Sequence, residues 1–159
     1  MSLYDQAHIR NFYNEYAEQE TARWDKSIVE QVKLYVHQHF LHQHIQLGES
    51  ILELGAGSGV FTELLAQKTA NLTVTDLSPV QLQLNKEKAK KNGSLSKIKR
   101  WEIADICDLS GFKNNAYDKV VCYGGPLSYV FDQKIKALTE IKRVLKTNGI
   151  AFILSLIHI

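Results

Sequence analysis

The chain has 159 residues, 45% of them apolar and 23% charged, with a formal net charge of +2. That length suits one domain, which buries roughly two-thirds of the unfolded chain's surface and requires no disulfide or metal staple. The charge is too small to imply a nucleic-acid or membrane partner, and no apolar run reaches the ~20 residues that span a bilayer.

The opening stretch MSLYDQAHIRNFYNEYAEQE is polar and carries acids, so it does not read as a signal peptide. Residues 1–47 read as a helical N-terminal cap segment. NFYNEYAEQE suits a short helix. SIVEQVKLYVHQHFLHQH suits a longer one, because Ser27 and Glu30 have the S-x-x-E spacing of a capping box. Behind them Ile28, Val32, Tyr35, Val36 and Phe40 recur at helical spacing, which predicts one apolar face. The four histidines of HQHFLHQH lack the i, i+4 pairing of helical metal ligands, so no metal is expected.

From residue 48 to 159 short apolar runs alternate with helices. SILEL, NLTVTD, KIKRWEI, YDKVVCY and GIAFILSLIHI read as five strands. GVFTELLAQ, SPVQLQLNKEKAKKNG and DQKIKALTEIKRVLKTNG read as the intervening helices. The second of these has Ser78 as N-cap, Pro79 at its first position and Asn92-Gly93 as its stop. The third places Ile135, Leu138, Ile141 and Leu145 on one face. Strands alternating with helices imply right-handed crossovers and a doubly wound, mostly parallel α/β sheet covered on both faces. Ligands in such sheets bind beyond the carboxyl ends of the strands, near the reversal of strand order.

The informative residues lie there. After the first strand comes Glu53-Leu-Gly55-Ala-Gly57-Ser-Gly59, either a tight strand-to-helix turn or a loop that lets a ligand approach the backbone. Asp76 follows the second strand and suits two ribose hydroxyls; it also suits the dipole of the helix that starts near Ser78. Asp105 follows the third strand, beside Ile106, where it can accept from an adenine amine. CYGGPLSYV follows the fourth, with Tyr123 and Tyr129 near any second substrate. Cys122, inside an apolar strand end, reads as a buried core thiol. With only two cysteines, Cys107 and Cys122, a reducing cytoplasm is the simplest setting.

Taken together, LELGAGSG, Asp76, Asp105, YDKVVCYGGPLSYV, RVLKTNGIAFI and FYNEYAEQETARWD resemble a class I S-adenosylmethionine-dependent methyltransferase of the small-molecule type. The resemblance runs from about Tyr13 to the chain end and implies strand order 3-2-1-4-5. It assigns cofactor contacts to Glu53, Gly55, Ala56, Gly57 and Gly59, to Asp76 with Leu77, to Asp105 with Ile106, and to Tyr123. Tyr13 and Tyr16 would close over the cofactor, and Glu53 would meet its amino group directly or through water. The chemistry agrees: a sulfonium with a free amino-acid end favours carboxylates, whereas a dinucleotide fingerprint reads G-x-G-x-x-G and serves pyrophosphate.

No His, Asp or Lys stands out as a general base. Tyr123 is the nearest catalytic candidate, with a substrate-lining role as its other reading. The sequence around the fourth strand lacks the N/D-P-P-Y/F motif and the Pro-Cys dipeptide of nucleic-acid base methylation, so the expected acceptor is a small molecule. A non-catalytic adenosine-ligand module is the alternative. The family's last two strands have no counterpart, and the closing SLIHI is compatible with an unnatural tail. The fifth strand is therefore expected to form an apolar edge that pairs two copies, or to mark a fragment.

Overall fold

The computed structural model describes residues 2–17, 19–69 and 71–155, with the backbone alone at 21 and 23. The last four residues of the expected fifth strand and tail, 156–159, lie outside the described residues. Helix α1 spans Gln6–Tyr16 and is capped by Asp5, whose carboxylate accepts the His8 N–H. The short α2 (Gln19–Ala22) and one 3-10 turn (Arg23–Asp25) lead into α3, Ile28–His44. Ser27 caps α3 by accepting the Glu30 N–H at 3.3 Å, as its capping-box spacing predicts.

The stripe expected on α3 forms a face, but that face is not core. Ile28, Val32, Tyr35, Val36 and Phe40 are all exposed, Ile28 by 79%. Leu41 is the buried residue of the helix and joins Ile45 and Trp24 in the core. Spacing identifies which residues share a face; it does not say what covers them.

The remaining elements are β1 (Ile51–Leu54), α4 (Thr62–Lys68), β2 (Leu72–Asp76), α5 (Pro79–Lys91), β3 (Ile98–Ile103), β4 (Tyr117–Cys122), α6 (Pro126–Tyr129), α7 (Lys134–Val144) and β5 (Leu145–Ile153). The strands form one parallel sheet in the order β3-β2-β1-β4-β5, the order expected from sequence. Successive residues on a strand face opposite sides. Accordingly Ile51 and Val121 enter one apolar cluster with Leu65, Leu72 and Val74, while Leu52 and Val120 enter a second with Leu54, Ile141 and Val144. Helices on both faces bury β1 and β2 completely.

Two sequence expectations shift at the end of the chain. The last helix stops at Val144 rather than running to Gly149, because Leu145 already pairs with Tyr117 on β4. The ladder then changes register at an irregularity in β5, where Asn148 has φ 67°. The buried face of α7 is Ala137, Ile141 and Val144, whereas Ile135 is 75% exposed. The small Ala137 lets the helix approach the sheet, and the larger apolar residues flank that line. β5 forms one edge of the sheet. No helix among the described residues is long and apolar enough to cross a membrane.

Candidate functional site

A cleft opens at the carboxyl ends of β1 to β4. The loop after β1 turns with Gly55 at φ +62° and Gly57 at φ +54°. Both values lie in the left-handed region that glycine occupies without a Cβ penalty. A side chain on Gly55 would collide with the Pro126 ring, so this glycine seats the loop against α6. A Cβ on Gly57 would point towards the Glu20 side chain, with Cγ 3.6 Å away. Gly55, Ala56 and Gly57 line the cleft.

Asp76, at the tip of β2, holds this loop. One carboxylate oxygen accepts the Gly57 N–H at 2.8 Å and the other accepts the Ser78 N–H at 2.8 Å. The Ser78 hydroxyl in turn caps α5 by accepting the Gln81 N–H. Asp76 thus joins loop, strand and helix, while its side chain and Leu77 still line the cleft. Burial pushes its carboxyl up to about 6, against the pull of the backbone donors.

Asp105 follows β3. It accepts the Cys107 N–H at 2.8 Å and the Gln6 side-chain amide at 3.0 Å. Tyr4 also approaches it, and burial together with the Asp105 charge pushes the Tyr4 hydroxyl pKa up. Ile106 lines the cleft beside it.

The N-terminal segment closes the mouth by reaching three strand ends at once. The Gln81 amide donates to the Tyr13 and Ala17 carbonyls, and the Ser78 hydroxyl donates to Asn14 at 2.6 Å. Asp132, in the one-turn helix before α7, accepts the Leu3 and Tyr4 N–H groups and the Ser2 hydroxyl. Tyr13 meets Tyr129 edge-on, with ring centroids 5.6 Å apart.

An aromatic wall completes the cleft. Trp24 packs on Phe61 at 5.8 Å, and Phe61 on Tyr123 at 5.2 Å. Behind Tyr123 stands His37 at 5.4 Å. Burial raises the Tyr123 pKa and lowers that of His37, so both are neutral at neutral pH. Tyr123 itself lines the cleft. Burial also pushes the Cys122 thiol up to about 12.

Several residues expected at the site stand elsewhere. Glu53 is not on the cleft wall. It accepts the Thr62 hydroxyl at 2.7 Å, and Thr62 accepts the Asn85 amide at 2.9 Å. Burial, with the Asp76 charge adding to it, pushes Glu53 up to about 8. Direct contact with a ligand's amino group is therefore not what this geometry offers. Gly59 faces Asn85 rather than the cleft. The Tyr16 ring stacks on Phe12 at 5.6 Å and does not line the cleft. Conversely, Tyr4, Glu20 and Phe61 line it without any sequence signal that separates them from their neighbours. No group of three or more potential metal ligands gathers among the described residues.

The family model described as "Methyltransferase domain" matches residues 51–149. Ubiquinone biosynthesis O-methyltransferase of Haemophilus ducreyi is 26% identical over 107 residues, covering 67% of this chain and 44% of that protein. Among solved structures, magnesium protoporphyrin IX methyltransferase of Synechocystis PCC 6803, with bound S-adenosylhomocysteine, superposes at a TM-score of 0.70 with 17% identity. That match covers 89% of this chain and 68% of the other. The [4+2]-cyclase SpnF superposes at 0.68 with 21% identity, covering 79% of this chain and 46% of the cyclase. These two structures share the fold, and their different reactions show that the fold does not fix the chemistry. The chain spans less than half the length of the H. ducreyi relative and of the cyclase.

Proposed function

The chain belongs to the methyltransferase domain family, and from that premise we propose that it binds S-adenosylmethionine in the cleft and transfers a methyl group to a small molecule. One observation carries this reading. The cleft wall presents three carboxylates, Glu20, Asp76 and Asp105, and no Lys or Arg among the described residues. Such a wall suits a cationic ligand without phosphate and repels a pyrophosphate.

When bound, S-adenosylmethionine supplies a methyl carbon already activated by its sulfonium. The protein's part is then to bind, orient and exclude water, and such positioning can supply up to ~7–11 kcal/mol. Asp76 keeps lone pairs for ribose hydroxyls beyond its backbone donors Gly57, Leu77 and Ser78. Asp105, with Ile106 beside it, suits an adenine amine and its ring. The glycine loop lets the ligand run against the backbone. Trp24, Phe61 and Tyr123 line the cleft, and an aromatic ring face gains roughly 0.5–2 kcal/mol against a cation where water is excluded. Tyr123 lines the acceptor side.

Calorimetry with S-adenosylmethionine, S-adenosylhomocysteine and NAD tests the proposal. Binding of the first two and not NAD is expected. NAD binding alone would overturn it, and binding without transfer to any acceptor would leave a ligand-binding module. We also propose a cytoplasmic setting, supported by two buried, unpaired cysteines. Pairing of two copies along the β5 edge is proposed because an open apolar edge strand favours a partner. A single monomeric species in sedimentation at high concentration would count against it.

A further inference from the structure

We infer that Glu20, rather than Glu53, receives the ammonium group at the amino-acid end of the ligand. The inference rests on the cleft being an S-adenosylmethionine site. Glu53 points beneath the glycine loop into the Thr62–Asn85 hydrogen-bond chain and does not line the cleft. Glu20, half-buried on α2, does.

The position of Glu20 is specific. Its Cγ lies 3.6 Å from the point a Gly57 Cβ would occupy, so the side chain overhangs the loop, with the Gln81 Oε1 3.9 Å from the same point. On the other side, Asp76 accepts the Gly57 N–H. Two acidic side chains therefore meet at one glycine. A ligand with its ribose at Asp76 must carry its next atoms past Gly57 towards the tips of β1 and β4. That path runs beneath Glu20. The segment bearing Glu20 is fixed on both sides, by the Gln81 bond to the Ala17 carbonyl and by the buried Trp24 ring against Phe61.

The chemistry selects the ammonium over the sulfonium. An ammonium offers three N–H donors to a carboxylate, and such charge-assisted bonds are the strong ones. A sulfonium offers none and is better served by aromatic rings.

The test compares ligands on the wild-type chain and on Glu20→Gln. S-adenosylhomocysteine has the ammonium and no sulfonium, S-adenosylmethionine has both, and 5′-methylthioadenosine has neither. Affinity for the first two should fall by about tenfold or more in Glu20→Gln, the scale of a lost charged hydrogen bond. Affinity for 5′-methylthioadenosine should stay unchanged, as should the affinity of Glu53→Gln for all three. Equal losses for all ligands would make Glu20 a merely structural residue, and a loss for S-adenosylmethionine alone would place the sulfonium there. Either result overturns the inference, as does an unchanged affinity of Glu20→Gln or a selective loss in Glu53→Gln. Failure of the wild-type chain to bind any of the three ligands is a different result, and it would overturn the reading of the cleft itself.

Discussion

Thr62 donates its hydroxyl to Glu53 at 2.7 Å, and that bond turns the first acid of the glycine motif away from the cleft. The carboxyl is fully buried and has one other charge near it of the same sign, Asp76. Its pKa rises from an ordinary 4.5 to about 8 because burial disfavours the ion more than Thr62 stabilises it. The folded state therefore binds a proton that the unfolded chain releases. This contribution is complete below pH 4.5 and is lost as pH rises towards 8, with a slope of at most about 1.4 kcal/mol per pH unit for one proton. Glu53→Gln mimics the protonated acid and has no proton to lose. Urea unfolding should show wild-type stability falling between pH 5 and 8 more steeply than that of the variant. Parallel pH profiles would show that Glu53 is charged in the folded protein.

Asp76 has the opposite importance for binding. Burial pushes it up to about 6, yet ribose hydroxyls need the ion as acceptor. Affinity for S-adenosylhomocysteine should therefore hold at pH 7 to 8 and weaken as pH falls through about 6. Asp76→Ala also releases the Gly57 and Ser78 N–H groups, so affinity should drop by about tenfold or more at pH 7.5. Calorimetry across pH measures both effects, and an unchanged affinity would remove Asp76 from the ribose site.

The sheet was legible because β1, β2 and β4 are short, largely apolar runs and α5 carries strong punctuation in Ser78-Pro79 and Asn92-Gly93. The loop after β1 and the acids Asp76 and Asp105 were legible because strand ends are where parallel sheets bind ligands. What sequence could not supply was direction. Glu53 and Glu20 are both acids near the loop, and only tertiary packing decides which one faces the cleft. Nothing in QETARWD marks Glu20 above Glu15. The same limit applies to α3, whose apolar spacing is regular although the stripe is exposed.

That exposed stripe separates two classes of substitution on one helix. Val36 is 54% exposed, and Val36→Ser should change stability by no more than about 0.5 kcal/mol. Leu41 is fully buried, and Leu41→Ala should cost about 2–5 kcal/mol. Thermal or urea denaturation of the two variants distinguishes them. A comparable loss in Val36→Ser would mean that the stripe is covered in solution.

Gly55 is constrained twice. Its φ of +62° disfavours any other residue, and a Cβ would strike Pro126. Gly55→Ala should therefore lose about 2–4 kcal/mol, combining left-handed strain with overpacking. Adding Pro126→Ala removes the ring but not the strain. The double variant should recover part of the loss, and full recovery would show that the backbone conformation costs little here.

Asp132 gathers the start of the chain. Three donors from Ser2, Leu3 and Tyr4 converge on one of its oxygens, while Gln6 reaches Asp105 and Asn14 reaches Ser78. The N-terminal segment is thus tied at the ends of β2, β3 and β4, and the ties after Tyr4 do not depend on Asp132. Asp132→Ala should leave the core intact, because the residue is exposed and outside both apolar clusters. Its effect should instead appear as faster amide exchange over residues 2–6 and faster release of S-adenosylhomocysteine, with the melting temperature nearly unchanged. Exchange unchanged across that segment would mean that the Gln6 and Asn14 contacts alone hold the mouth closed. In that event Gln6→Ala, which releases Asp105, becomes the variant that speeds ligand release.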